Sequence, residues 1–200
     1  MSRLTVELKP HDPRWVVDYK RESAAVTEAL GDACVAIHHI GSTAIPGICA
    51  KPVIDMLAVV RNVEVLDSRS PQVEALGYEA MGEFGIPGRR YFRKDDAPGN
   101  RTHQIHAFAA GSPQIARHIA FRDFLRAHPG YAEEYDALKQ RLAAQFPQDI
   151  FAYTDGKDEF IARVDALAAE WQSSVSSWMD RITIIPHSFA RKSNPDRPEP

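Results

Sequence analysis

The spacing of apolar residues predicts a helix at the start of the chain. Asp12 and Pro13 supply a polar cap and a favoured first helical position, and Gly31 supplies a stop. The apolar face between them consists of Trp15, Tyr19, Val26 and Leu30. This spacing is typical of a helix that packs one side against a core.

The pattern changes to strands in the middle of the chain. We predict strands at 33–40, 53–60, 78–84, 90–93 and 102–109, with a weaker helix at 63–76. The segment 53–60 is almost continuously apolar, which is typical of a strand covered on both faces. The strands at 78–84 and 90–93 read as a hairpin around the Gly85–Gly88 turn.

Helical spacing returns after residue 111. Ser112 and Pro113 begin a helix that His128 ends, and two further helices are predicted at 131–146 and 153–171. The predicted fold class is α+β, a mixed sheet flanked by helices with a C-terminal helical layer. We expect one domain over 1–171, with the sheet core at about 1–110 and the helical layer at 112–171. The serine- and proline-rich stretch 172–200 is expected to be a flexible tail, with a short strand possible at 182–185.

Composition narrows the class of protein. The chain has 200 residues, 44% of them hydrophobic, and a formal net charge of −3, so a soluble globular protein is expected and a nucleic-acid binder is not. Two cysteines cannot build a disulfide scaffold, and the N-terminus lacks an apolar signal core. We therefore expect a cytoplasmic location and no membrane partner.

The most informative motif joins the first two strands. Gly41, Ser42 and Thr43 follow the first strand, where exposed backbone N–H groups and hydroxyls can hold a phosphate. Asp55 lies inside the apolar second strand, where a carboxylate is costly unless it is paired or binds a metal. We expect its carboxylate to face the Gly41-Ser42 turn. The alternative is structural: the motif caps a helix and Asp55 anchors the backbone or Lys51.

These residues resemble the GrpB family of the nucleotidyltransferase-fold superfamily. The segment from His39 to Pro52 and Asp55 matches the family pattern, as do Arg101 to His106, Phe121 to Pro129, and Ala152 to Phe160. The similarity extends over about residues 5–171. It implies a nucleotidyltransferase-like sheet and, in active members of the superfamily, carboxylates that bind two Mg²⁺ ions.

The sequence departs from that two-metal pattern. Leu57 stands where the second acid is expected, on the same strand face as Asp55. The later strand offers His103 and His106 in place of the third acid, and three-residue spacing puts these two on opposite faces unless a bulge intervenes. We take Asp55, His39 and His106 as candidate catalytic residues, and Asp55, His103 and His106 as candidate ligands of a divalent Mg²⁺ or transition-metal ion.

Candidate phosphate-binding residues surround this cluster. They are Gly41, Ser42, Thr43, Lys51, Arg90, Arg101 and Lys157. Arginine forks and lysine ammonium groups suit phosphates, although such cations are more often a solvated face. Lys157 follows Tyr153 by four residues, so a helix would turn both toward the sheet.

Three functions remain open at this stage. The first is a nucleotidyltransferase-like transferase acting on a nucleotide or another phosphorylated small molecule. The second is a non-catalytic phosphate-ligand binding or folding-helper module, a role compatible with the fusion of GrpB-like domains to dephospho-CoA kinase in some bacteria. The third is an interaction protein that uses the late helices. Leu57 favours the second, and retention of Asp55 with His39 and His106 favours the first.

Overall fold

A computed structural model describes residues 6–183, with side chains described to residue 174. Its helices are α1 (Arg14–Leu30), α2 (Val63–Glu74), α3 (Pro113–Ala127), α4 (Pro129–Gln145), α5 (Ile150–Asp155) and α6 (Asp158–Thr183). Its strands are β1 (Cys34–Ile40), β2 (Ile54–Val60), β3 (Tyr78–Ala80), β4 (Arg90–Asp95) and β5 (Arg101–Ala109). The predicted mixed α+β architecture is confirmed.

The five strands form one mixed sheet in the order β1-β2-β5-β4-β3. Only β2 and β5 pair in parallel, and the other three pairs are antiparallel. The hairpin strand predicted at 78–84 is shorter than expected, because after Ala80 the chain enters a turn-rich segment. The central strand β2 is buried almost throughout, as its apolar sequence predicts.

Alternate residues of the sheet enter two different cores. On one face Met56, Ala58, Ile105 and Phe92 pack with the apolar sides of α1 and α2. On the other face α3 covers only part of the sheet, where Ile40, Leu57 and Phe108 meet Ile115 and Ile119. The rest of this second face is left open beside α4 and α5.

The C-terminal helices form a layer with its own core, which includes Phe124, Tyr135 and Phe160. The single helix predicted at 153–171 is broken at Gly156, where a Cβ would lie 2.5 Å from Leu142 Cδ2. It also continues to Thr183, although a tail was predicted from residue 172. The Ser173 and Ser174 hydroxyls bond to preceding carbonyls, so these serines remain within the helix. Residues 184–200, with part of the strand considered at 182–185, lie outside the described residues.

Within residues 6–183, no helix combines the length and apolar character needed to cross a membrane.

Candidate functional site

The turn after β1 brings Asp55 against the backbone of Gly41. Gly41 has φ 71° and ψ −175°, a conformation essentially confined to glycine. A Cβ at this position would lie 2.3 Å from Asp55 Oδ2. Asp55 lies on β2 opposite Ile40, the last residue of β1. The expectation that Asp55 is on a strand and faces the Gly41-Ser42 turn is therefore confirmed.

Strand register places four polar side chains on the same open face as Asp55. Asp55 pairs with Gln104, and Leu57 pairs with His106. On the neighbouring strand β4, Arg93 and Tyr91 lie opposite Gln104 and His106. Because directly paired residues share a sheet face, Asp55, Gln104, His106, Tyr91 and Arg93 form one polar surface.

This surface is the floor of a cleft of about 610 Å³. Eight of the predicted site residues line it: Gly41, Ser42, Thr43, Lys51, Asp55, Arg101, His106 and Lys157. Their assigned roles remain predictions, but the structure brings the residues together. A second groove, of about 800 Å³, lies beside the start of α1 and contains none of the predicted site residues.

Thr43 and His39 support the wall of the cleft. The Thr43 hydroxyl donates to the carbonyl of Val53 at 3.1 Å, so it accepts the hydrogen bond from His39 Nε2 at 3.0 Å. Its proton is thus engaged within the fold and not directed at a ligand. His39 is buried behind it, stacked on Tyr19 of α1, and burial lowers its pKa to about 4. His39 was expected to face the pocket, but it faces the α1 layer.

Two other predicted site residues lie away from the cleft. His103 lies opposite Lys94 on the sheet face toward α1, where its Nδ1 bonds Thr102. It cannot join Asp55 and His106 in one metal site, as the three-residue spacing from His106 implied. Arg90 is also on that face, and its guanidinium binds both carboxylate oxygens of Asp67 on α2 at 2.6 and 2.8 Å. That pairing turns Arg90 away from the predicted phosphate site.

His106 is held between a cation and a carboxylate. Arg89 Nη1 lies 3.3 Å from His106 Nδ1, and His106 Nε2 lies 3.9 Å from Asp55 Oδ1. Since a guanidinium can only donate, His106 Nδ1 must accept, and its proton is then on Nε2. Nε2 is on the side of the ring that faces Asp55. Burial lowers the pKa of Arg89, whose guanidinium also donates to the carbonyls of Glu83 and Phe84.

Two lysines approach the same aromatic ring on the helical side of the cleft. The Nζ atoms of Lys51 and Lys157 lie 5.6 and 4.6 Å from the centre of the Tyr153 ring. Burial, followed by the nearby Lys51 charge, lowers the pKa of Lys157 to about 8. Burial also lowers the pKa of Lys51, and Asp55 partly offsets that effect. Lys157 lies in the turn between α5 and α6. The prediction that it lies within a helix is wrong.

Comparison with known proteins supplies the family. The sequence profile described as GrpB protein matches residues 5–166. The chain belongs to the GrpB family. It is 46% identical over 168 residues to UPF0157 protein YqkA of Bacillus subtilis, covering 84% of this chain and 48% of YqkA. It is 37% identical over 180 residues to UPF0157 protein PA4798 of Pseudomonas aeruginosa, covering 88% of this chain and 74% of that protein.

A solved GrpB structure agrees with this architecture. The crystal structure of conserved protein GrpB from Enterococcus faecalis superimposes with a TM-score of 0.79 at 38% sequence identity. The match covers 83% of this chain and 99% of the Enterococcus chain. The chain spans about half the length of YqkA, so the GrpB unit is the part that these proteins share.

The structure of this GrpB chain adds cleft residues that sequence reasoning missed. They are Arg89, Tyr91, Arg93, Gln104, Tyr135 and Tyr153, with Phe84 and Phe151 at higher exposure. The rings of Tyr135 and Tyr153 also pack in the apolar clusters of the helical layer. Burial raises the pKa of Tyr135 to about 12, and the neighbouring Ser42 side chain partly offsets that rise. In the sequence, the two-residue spacing of Tyr91 and Arg93 along β4 could have indicated that both face the cleft.

The donor set of this GrpB chain does not fit a two-metal centre. Leu57, in the second-acid position, is fully buried against Ile40 and Phe108. Among the residues that the structure describes, no group of three or more His, Cys, Asp or Glu side chains is placed to hold a metal ion. Asp55 and His106 are the candidate ligands that share the cleft. Any single ion would need most of its ligands from elsewhere.

Proposed function

We propose that the cleft binds a phosphorylated small molecule, with a nucleotide as the leading class. The observation that carries the proposal is the charge of the lining. Five cations line the cleft, Lys51, Arg89, Arg93, Arg101 and Lys157, against two carboxylates, Asp55 and Asp155. Arg93 and Arg101 also pair with Glu79 and Asp95 outside the lining. A concave surface with this excess of positive charge concentrates anions.

Lys51, Lys157 and Arg101 are the proposed phosphate ligands. The two ammonium groups share one ring. Burial lowers the pKa of both lysines, and the Lys51 charge lowers the pKa of Lys157 further. Arg101 pairs with Asp95 and donates a hydrogen bond to the Tyr91 hydroxyl at 3.1 Å. These contacts hold its guanidinium at the edge of the cleft. A phosphate placed among these groups would relieve the repulsion, because an opposite charge favours the charged form of a lysine.

Ser42 completes the proposed phosphate site. Its hydroxyl lines the cleft, and it follows Gly41 in the turn that contacts Asp55. Two arginines of α3 bind the backbone of this turn. Arg126 donates two hydrogen bonds to the carbonyl of Ala44, and Arg122 donates one to the carbonyl of His39. A preorganised turn of this kind loses little entropy when a ligand binds.

Acid–base chemistry at Asp55 and His106 is the second candidate function. The observation that favours it is the tautomer of His106, whose protonated Nε2 lies 3.9 Å from Asp55 Oδ1. A ligand hydroxyl placed beside Asp55 could transfer its proton to that carboxylate, and the alkoxide left on the ligand could accept a hydrogen bond from His106 Nε2–H. Because the donor set does not fit two metal ions, we assign no step to a two-metal mechanism.

A thermal-shift panel tests the binding proposal. The panel contains nucleotides, CoA precursors, sugar phosphates and inorganic tripolyphosphate, each with and without Mg²⁺. A ligand at one hundred times its Kd stabilises the folded state by about 2.7 kcal/mol. We expect stabilisation by at least one phosphorylated compound in the wild type. The proposal is wrong if no phosphate-bearing compound raises the melting temperature.

Matched lysine variants locate the binding site. Lys157→Gln should lose most of the ligand-induced shift, whereas Lys20→Gln, the same charge change on the exposed surface of α1, should keep it. Asp55→Asn separates binding from chemistry. If Asp55 acts as a base, that variant retains phosphate binding and loses turnover, which would support the second candidate.

A further inference from the structure

Two exposed aromatic rings mark the outer part of the cleft. Among the side chains that the structure describes, Phe84 and Phe151 are the only exposed Phe, Tyr or Trp residues, at 57% and 78% exposure. Both line the cleft that contains Asp55, although they come from different parts of the chain. Exposed apolar rings that converge on one polar cleft are typical of a binding site and not of solvent-facing surface.

Phe84 is fixed in position before any ligand arrives. Its backbone has φ 44°, a left-handed conformation that is uncommon for a phenylalanine. Arg89 holds that conformation by donating to the carbonyls of Glu83 at 3.2 Å and Phe84 at 2.6 Å. Strained backbone of this kind persists where its surroundings hold it in place, and it is concentrated at functional sites.

The Phe84 ring extends a stack that begins at the cleft floor. Phe84 stacks on Tyr91 with ring centres 5.2 Å apart and an interplanar angle of 25°. The guanidinium of Arg89 lies 5.0 Å from the centre of the Tyr91 ring. Tyr91 is buried, whereas Phe84 leaves more than half of its surface free. A planar group that enters the cleft can therefore continue the stack on Phe84.

The geometry points to a nucleoside phosphate as the ligand, with its base against Phe84 and Phe151 and its phosphates at Lys51 and Lys157. This inference rests on the proposed function and narrows it. The cationic groups and Ser42 are partly buried, and the phenyl rings are exposed, so the cleft is polar inside and aromatic outside. Sugar phosphates and inorganic phosphates have no π-face to use the two rings.

Calorimetric titration separates the contribution of the base from that of the phosphates. The probes are ATP, GTP, CTP and UTP, with inorganic tripolyphosphate as the probe that lacks a base. We expect the best-bound nucleoside triphosphate to bind at least about 10-fold more tightly than tripolyphosphate, since stacking on an aromatic side chain is worth about 1–3 kcal/mol per base. Equal affinities for the wild-type protein would overturn the inference and leave the proposed function standing.

Aromatic variants test the two rings. Phe84→Ala should remove most of the preference for nucleotides and leave tripolyphosphate affinity unchanged, and Phe84→Trp should retain the preference. Val35→Ala, which shortens an exposed apolar side chain outside the cleft, is the control and should change neither affinity. A Phe84→Ala variant that keeps the full nucleotide preference contradicts the inference. If the wild type binds neither tripolyphosphate nor any nucleotide, the inference fails, and the sugar phosphates and CoA precursors of the thermal-shift panel then decide the proposed function.

Discussion

At the scale of single residues, Gly41 determines how close Asp55 can come to the turn. The glycine conformation and the 2.3 Å approach of a hypothetical Cβ to Asp55 Oδ2 are independent reasons against any side chain there. The motif resemblance predicted the importance of Gly41-Ser42. It predicted that Asp55 faces this turn but not how closely it approaches Gly41, because the separation of two strands along the chain does not give the distance between them.

Gly41→Ala is expected to destabilise the protein by at least about 2 kcal/mol, from backbone strain and overpacking combined. Chemical denaturation of the single variants and of the Gly41→Ala/Asp55→Ala double variant measures the two parts. Gly41→Ala should cost less in the Asp55→Ala background, because the clash with the carboxylate is then absent. Equal costs in both backgrounds would show that Asp55 does not press on Gly41.

His39 should make stability depend on pH. Its pKa is about 4 in the folded protein against 6.5 ordinarily, so between these values the unfolded chain binds a proton that the native chain does not. Stability is therefore lost as the pH falls from 6.5 toward 4, by an amount on the order of 2–3 kcal/mol. Burial also lowers the pKa of His118 to about 4, which adds a loss in the same direction.

Denaturation at several pH values with His39→Gln isolates the contribution of His39. Glutamine retains an N–H donor for Thr43 and does not titrate. The variant should lose about one proton of pH dependence over this range, while His118 contributes equally in both proteins. An unchanged slope would contradict a neutral, buried His39.

At the scale of elements, sheet register decides which predicted residues meet. Strand periodicity correctly separated His103 from His106, but it could not say which of them faces the cleft. That choice follows from the packing of the His103 face against α1, where Lys94 binds Glu22 at 2.8 Å. Arg90 was unpredictable for a related reason, since its partner Asp67 lies on α2, 23 positions earlier in the chain.

The break between α5 and α6 is a second feature of this scale that the sequence did not reveal. Gly156 approaches Leu142 of α4, and the following residue, Lys157, is positioned by that approach. Periodicity treated 153–171 as one helix, because a single glycine is tolerated inside a helical pattern. Packing against α4 makes it a junction.

Two glycine variants should therefore change stability in opposite directions. Gly156→Ala places a methyl group 2.5 Å from Leu142 Cδ2 and is expected to destabilise by about 1–3 kcal/mol. At Gly130 in α4, an added Cβ would have no atom within 4 Å apart from its chain neighbours and the helix backbone. Gly130→Ala should therefore be neutral or stabilise by up to about 1 kcal/mol. Denaturation midpoints check both, and equal effects would contradict the packing described here.

At the scale of the whole molecule, the sheet and the helical layer enclose a cationic cleft around Asp55, the carboxylate on β2. The resemblance to the GrpB family predicted the fold and two of the five residues of the cleft floor, Asp55 and His106. The helical wall was harder to predict, because Tyr135 and Tyr153 have the spacing of core residues and only their position against β2 and the turn shows them lining the cleft.

The free protein is expected to bind Mg²⁺ weakly. Asp55 and His106 offer a single carboxylate and an imidazole, whereas Mg²⁺ prefers oxygen ligands in octahedral geometry. Calorimetric titration of Mg²⁺ into the free protein should show no tight binding. Tight binding would mean that a second carboxylate reaches Asp55, contrary to the burial of Leu57.

The most direct test of the proposed phosphate site is the pKa of Lys157, followed by NMR of the lysine side-chain carbons. In the free protein the pKa should be about 8, because burial and Lys51 both oppose the charge. Saturation with a phosphorylated ligand from the panel should raise it toward the ordinary value of 10.5 or beyond, since an adjacent anion favours the ammonium form. A Lys157 pKa that stays unchanged when ligand binds would contradict a phosphate site at these lysines.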